Sequence, residues 1–404
     1  MAASINLLDP LTFCSGHPHA VYDALRAEAP VYFHPGSDKQ PSFWVLTRYD
    51  DVVAVSRNNT QFSSARGFRL PTDRKLDLAP EVRASLANTI LALDPPKHMD
   101  FRKLLNPSFM PSALKNLEQA LEIHTDELIG SLCAGETIEF VENVAAIIPI
   151  KAICRILGVP QEDEDKVFEW TNRLVGTDDP EYSPTLEQTN AAFQEVFSYS
   201  RWLLQKRKAD PQNDLLTTVA CAEIDGKSID DATRDGFCMT LLAAGNETTR
   251  NSLTGSIWAL TNNRDARSYL NSFPEKLPET VDEFVRHITP VIQMMRTALE
   301  DVVVGGQVIK AGERVVMLYG AANRDPAVFS NPHQLDLTRE NAKKHLAFGI
   351  GIHHCLGAKP AAMQIRSILS RLLQRFPNIE AVEEPIYMGS NFVMGFKKLK
   401  VKLH

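Results

Sequence analysis

Phe348-Gly349-Ile350-Gly351-Ile352-His353-His354-Cys355-Leu356-Gly357 places three glycines around one cysteine, immediately ahead of an apolar helical run. Glycine tolerates positive φ and lets the backbone come close, so such a loop can lie flat against a planar group and aim its amide hydrogens at a sulfur. A helix predicted over residues 355–376 adds the positive potential of its amino end. Loop and helix together favour thiolate over thiol, and a thiolate is a metal ligand.

Each residue taken singly has an ordinary explanation, because Gly-rich turns precede many helices and a lone cysteine is commonly a core residue. A zinc site built from His353, His354 and Cys355 lacks a nearby C-x-x-C or H-x-x-x-H pair to complete its geometry. A thiolate is also the axial ligand that pushes electron density onto haem iron and favours O–O cleavage. It is the whole F-G-x-G-x-H-x-C-x-G string that singles out Cys355.

The rest of the composition sets bounds. With 404 residues, 44% of them hydrophobic, the chain can bury a large core without disulfides. A net charge of -7 gives no overall basic field, so nucleic acid is not an expected partner. The segment 1–10 carries neither a basic nor an apolar leader pattern, and the reading is cytoplasmic. The most apolar stretch, 144–159, is interrupted by Pro149, Lys151 and Arg155, short of the roughly 18–20 residues a span needs, so no membrane anchor is expected. Of the six cysteines, Cys14, Cys133, Cys154, Cys221 and Cys238 read as small buried hydrophobes.

Outward from the loop, the chain reads as mainly α with small β-sheets. Strand-rich segments are expected at 31–33 and 42–47, and again between 296 and 316 with turns at Gly305-Gly306 and Ala311-Gly312. Helical periodicity predicts helices over 95–105, 111–132, 140–157, 162–175, 185–208 and 278–288. A longer one over 230–262, roughly 45–50 Å, would cross the whole molecule. The polar segment 175–184 reads as a mobile surface loop. No repeat or apolar-poor linker divides the chain, so one domain over 1–404 is expected.

With these motifs in place, the chain resembles the cytochrome P450 superfamily, its soluble bacterial class, over essentially its whole length. Glu283-Phe284-Val285-Arg286 matches that family's E-x-x-R pair. The resemblance implies haem b, iron protoporphyrin IX, held between the long helix and the helix after the cysteine loop, with Cys355 on the iron. It implies that His98, Arg102, Arg296 and His353 contact the propionates, and that Ala244, Gly245, Phe348 and Gly357 line the cofactor. In Ala244-Gly245-Asn246-Glu247-Thr248-Thr249, Gly245 is expected to leave room for dioxygen, Glu247 to relay protons, and Thr248 to steady the reacting oxygen.

The activity so implied is monooxygenation of a hydrophobic small molecule, a steroid, terpenoid or branched lipid, using dioxygen and electrons from a ferredoxin and its reductase. Candidate pocket walls are the region 66–93, Leu241, Ala244, Val291, Met294, Phe392 and Val393. Lys103, Lys343, Lys344, Lys359 and Arg366 are the expected basic docking patch for the ferredoxin. A peroxide-driven peroxygenase or isomerase, and a haem-binding protein without catalysis, stand as alternatives. Two departures from the family pattern stand out: Gln334 occupies the place of the arginine expected to join Glu283 and Arg286, and Pro360 falls just after the cysteine.

Overall fold

Helices carry most of the chain in the computed structural model, which describes residues 5–404, so the start of the 1–10 segment lies outside the described residues. In order they are α1 (His19–Glu28), α2 (Tyr49–Arg57), α3 (Pro80–Ala87), α4 (Lys97–Leu105), α5 (Pro111–Ser131), α6 (Ile147–Leu157) and α7 (Glu164–Val175). There follow α8 (Leu186–Ala209), α9 (Leu215–Ala220), α10 (Asp231–Thr261), α11 (Arg264–Ser272), α12 (Leu277–Ile288), α13 (Tyr319–Ala322) and α14 (Ala358–Arg375).

α10 is the long helix expected from the sequence. Its cap is Asp230, whose carboxylate accepts from the Thr233 amide at 2.8 Å. It packs against α3, α6, α7, α8, α12 and α14. Burial on every side explains why its sequence lacks a polar face.

The largest sheet has five strands in the spatial order Val31–His34, Phe43–Leu46, Arg314–Leu318, Gln293–Ala298 and Phe62–Ser63. Phe43–Leu46 and Arg314–Leu318 run parallel, and the other neighbours are antiparallel. The register sets Arg296 opposite Val315, which plants a cation on the central part of the sheet. The hairpin Val302–Val304 to Gln307–Ile309 turns on Gly305 and Gly306, at φ 54° and 83°. Paired positive φ values of this kind match the right-handed twist of the flanking strands.

Six helices escaped the sequence reading: α1, α2, α3, α9, α11 and the short α13. In α2, Val52, Val53 and Val55 look strand-like, and packing of Val52 and Val55 in the core overrides that propensity. The expected helix over 140–157 begins with a wider π turn, Val141–Ala145, before α6. The loop 175–184 is not a free surface loop. Thr177, Asp179 and Ser183 are buried, and Asp179 accepts from the Gly389 amide at 2.9 Å and pairs with Lys397 at 3.2 Å. Cys154 and Cys238 are buried as expected, whereas Cys133 and Cys221 are exposed and Cys14 is half-buried. No helix among the described residues is long and apolar enough to cross a membrane.

At the seam between α1 and α12, His17 Nε2 lies 2.9 Å from the Thr289 carbonyl, with His19 and His333 ring to ring beside it at 5.5 Å. Burial, with Arg324 nearby, pulls His17 down to about 4 and depresses His19 and His287 as well. Above pH 6.5 neither folded nor unfolded chain protonates these rings; below it the unfolded chain takes protons that the folded one refuses. Stability should therefore fall as pH drops from about 6.5 toward 4, by about 1.4 kcal/mol per pH unit for each such ring. Urea midpoints at pH 7 and pH 5 check this, and a midpoint unchanged between them would contradict it.

Candidate active site

The cysteine loop takes the shape its glycines permit. Gly349 and Gly351 sit at φ 69° and 79°, and a Cβ on Gly351 would come within 2.9 Å of the Ser56 carbonyl oxygen. The Cys355 amide donates to the Phe348 carbonyl at 2.8 Å. α14 begins at Ala358, not at Cys355, so the sulfur sits just ahead of the helix end. Cys355 lies deep in the fold, yet its side chain keeps an accessible surface. Burial holds its thiol above the ordinary value, while the Gly357 amide and the Arg102 guanidinium pull the other way. The loop thus favours the thiolate as expected, through the Gly357 amide, against the cost of burial.

Around the sulfur the fold gathers positive and imidazole groups from three separate elements. His98 and Arg102 project from α4, Arg296 from the sheet, and His353 from the loop. The His98 and His353 rings are 4.1 Å apart between centroids. Ser64 Oγ lies 3.2 Å from His353 Nε2, and Asp94, which accepts from the Ser64 amide at 2.8 Å, fixes that serine. Ser64 and Asp94 were not anticipated. Burial, with Arg102 and Arg296 adding to it, lowers His98 to about 4; burial, with Arg296, His98 and Arg102, takes His353 to about 2.

This cluster carries more positive than negative charge: Asp94 lies near it but is hydrogen-bonded to Ser63 and Ser64. Both ring nitrogens of His98 are buried without a hydrogen-bond partner. Among the described residues neither Arg102 nor Arg296 forms an ion pair, and the Arg296 side chain donates only to the neighbouring Met295 carbonyl, at 2.8 Å. Two carboxylates on a planar cofactor would satisfy these groups together. The residues present therefore fit a haem with its propionates, and Cys355 offers the sulfur for its iron.

On the central helix, Ala244 is exposed in the middle of an otherwise buried element, and Thr248 is half-buried on the same face one turn on. Thr248 Oγ1 donates to the Ala244 carbonyl at 3.2 Å. Glu247 points elsewhere. It is buried in an ion pair with Arg250, and Asn251 Nδ2 donates to its Oε1 at 3.1 Å. The structure thus does not bring the expected acid and alcohol together, because adjacent helical residues diverge by about 100°. At Gly245 a Cβ would meet Ile153 Cδ1 at 2.7 Å, so its missing side chain admits the close approach of α6.

Two of the expected pocket walls are joined. The Ile292 amide donates to Phe392 and the Met394 amide to Pro290, each at 2.8 Å, zipping 390–394 alongside 290–292. Leu241, Val291, Met294 and Phe392 keep open surface, whereas Val393 is buried and belongs to the core. α3 occupies part of the 66–93 wall.

Behind the loop, Arg286 grips Glu283 through two bonds, Nε to Oε2 at 2.7 Å and Nη2 to Oε1 at 2.8 Å. The third partner is not missing. Arg339 Nε donates to Glu283 Oε2 at 3.0 Å, and Gln334 contributes only its carbonyl, which Arg286 bonds at 3.1 Å. Pro360 sits in the first turn of α14, where its missing N–H has no helical partner to lose. The expected basic patch is thinner than it looked: Arg366 pairs with Glu118 at 2.7 Å and Lys103 approaches Asp100 at 3.4 Å, leaving Lys343, Lys344 and Lys359 exposed.

The comparisons with known proteins agree with this geometry. The family described as cytochrome P450 matches residues 276–403. The chain is 35% identical to linalool 8-monooxygenase of Pseudomonas putida over 403 residues, 98% of each chain. The chain belongs to the cytochrome P450 family. It is also 35% identical to a steroid C26-monooxygenase of Rhodococcus jostii, over 97% of this chain and 83% of that one. Its fold is similar to that of a Mycobacterium marinum cytochrome P450 in complex with pseudoionone, with TM-score 0.88 and 33% identity over 95% and 94% of the two chains. This P450 is accordingly a haem-thiolate monooxygenase that acts with dioxygen on a hydrophobic substrate.

Proposed function

We propose that the whole chain is one catalytic unit that hydroxylates a terpenoid, steroid or branched lipid, drawing electrons from an external ferredoxin and its reductase. The observation that carries the reading is the accessible Cys355 sulfur beside a cluster of His98, Arg102, Arg296 and His353 in which, among the described residues, neither arginine has an ion-pair partner and both His98 ring nitrogens are unsatisfied. Bound there, the haem supplies dioxygen activation and the insertion of one oxygen atom into a C–H bond. Cys355 would hold its iron, and His98, Arg102, Arg296 and His353 would hold its propionates.

The chain's own residues do the rest. Leu241, Ala244, Val291, Met294 and Phe392 exclude water and orient an apolar substrate by shape. Thr248 holds a proton at its hydroxyl on the open face of α10. Glu247 delivers the next one only after its carboxylate leaves Arg250. Lys343, Lys344 and Lys359 offer an acidic ferredoxin a point of contact. The names of the linalool and steroid relatives support the substrate class.

An optical titration of the ferric holoprotein with a monoterpene alcohol, a steroid and a branched lipid tests this reading. One of these classes should drive the iron from low to high spin with saturation. No shift with any of them, in protein that carries haem, would contradict the substrate assignment.

A further inference from the structure

Arg69 lies on the substrate wall without a partner. Its stretch of backbone is strapped to the strand Gln293–Ala298: the Met295 amide donates to Phe68 at 2.7 Å and the Leu70 amide to Gln293 Oε1 at 3.2 Å. The guanidinium lies over the Phe392 ring, 5.3 Å from its centroid, and the Phe68 ring stands 6.4 Å from the same ring. Phe392 is the residue zipped to Ile292, so Arg69 shares a wall with Val291 and Met294.

Among the described residues this guanidinium makes no hydrogen bond and no ion pair. Asp178, whose field reaches it, is already engaged by Thr72 at 2.7 Å and Thr177 at 3.4 Å. Arg74, five residues on, shows the contrast: it clasps the Thr177 carbonyl and Thr189 Oγ1. Burial pushes the Arg69 guanidinium below its ordinary value, and the field of Asp178 offsets that only in part. An aromatic face offsets only part of that penalty, and a planar fork of donors is the shape that a carboxylate matches with two bonds.

We propose that Arg69 receives the anionic end of the substrate, so that this P450 takes an apolar molecule terminating in a carboxylate. The hydrocarbon end is then the part presented for oxidation. This deepens the proposed function and rests on its haem-thiolate reading and its pocket walls.

The test uses the ferric holoprotein and a matched pair of probes, a methyl-branched long-chain alkanoic acid and its methyl ester, followed by spin-state titration. The acid should bind about 10-fold or more tightly than the ester. Arg69→Gln should abolish that ratio by weakening the acid alone, and Arg69→Lys should retain part of it. Equal binding of acid and ester by the unaltered protein, absence of any shift with the acid, or equal weakening of both probes in Arg69→Gln would overturn the proposal. The unaltered protein's ratio needs no variant and decides alone if Arg69→Gln fails to take up haem. A normal red-shifted carbonyl band alongside equal binding removes only Arg69's role, whereas loss of that band removes the reading beneath it.

Discussion

Glu283→Ala is expected to yield no stable haem-containing protein. Glu283 is the single carboxylate paired within a buried group of three arginines: Arg286 and Arg339 bond it directly, and Arg324 lies close enough to feel its charge. Burial and the neighbouring arginines already pull Arg324 down to about 9. Removing the carboxylate leaves three like charges in the core, along with the Asp336 amide that donates to Glu283 at 2.9 Å. Breaking a buried pair costs about 3–5 kcal/mol, and here two pairs break together. Against a total stability of about 5–15 kcal/mol, that is enough to unfold much of the population. Haem content and urea midpoint, compared with the surface change Glu279→Ala, measure it. Full haem uptake with stability within about 1 kcal/mol of the unaltered protein would contradict the network.

Thr248→Ala should separate dioxygen consumption from product formation. The hydroxyl lies on the open face of α10 beside Ala244, and it donates to the Ala244 carbonyl. Without it, proton delivery at that face loses a donor, and product formed per dioxygen consumed should fall about 10²-fold, with hydrogen peroxide released instead. Simultaneous measurement of dioxygen, peroxide and product gives the ratio. If the variant turned over at the unaltered rate when supplied with peroxide alone, a peroxide-driven enzyme would replace the dioxygen reading.

These two residues also show what the sequence could disclose. The thiolate loop was legible because its signal is local: glycines at fixed offsets from a cysteine dictate a tight turn. The cluster of His98, Arg102, Arg296 and His353 comes from a helix, a strand and a loop far apart in sequence, so only the family resemblance assembled it. Arg339 was missed because the irregular loop around Asn331, at φ 42°, carries the third arginine five residues beyond Gln334, and no periodicity predicts that path. Glu247 and Thr248 are neighbours in sequence, but on a helix that adjacency sends them to different faces. Gly245 reads both ways, because close helix packing and ligand access call for the same small residue. Arg69 falls within the expected wall 66–93 but was not singled out, since the lack of an ion-pair partner is a property of the folded surroundings alone.

That Cys355 holds the haem iron is tested most directly by the reduced carbonyl spectrum of the purified protein. The red-shifted Soret band of a thiolate-bound haem is expected, and its loss on Cys355→Ser. A carbonyl band without that shift in the unaltered protein would remove Cys355 from the iron and contradict the site as a whole.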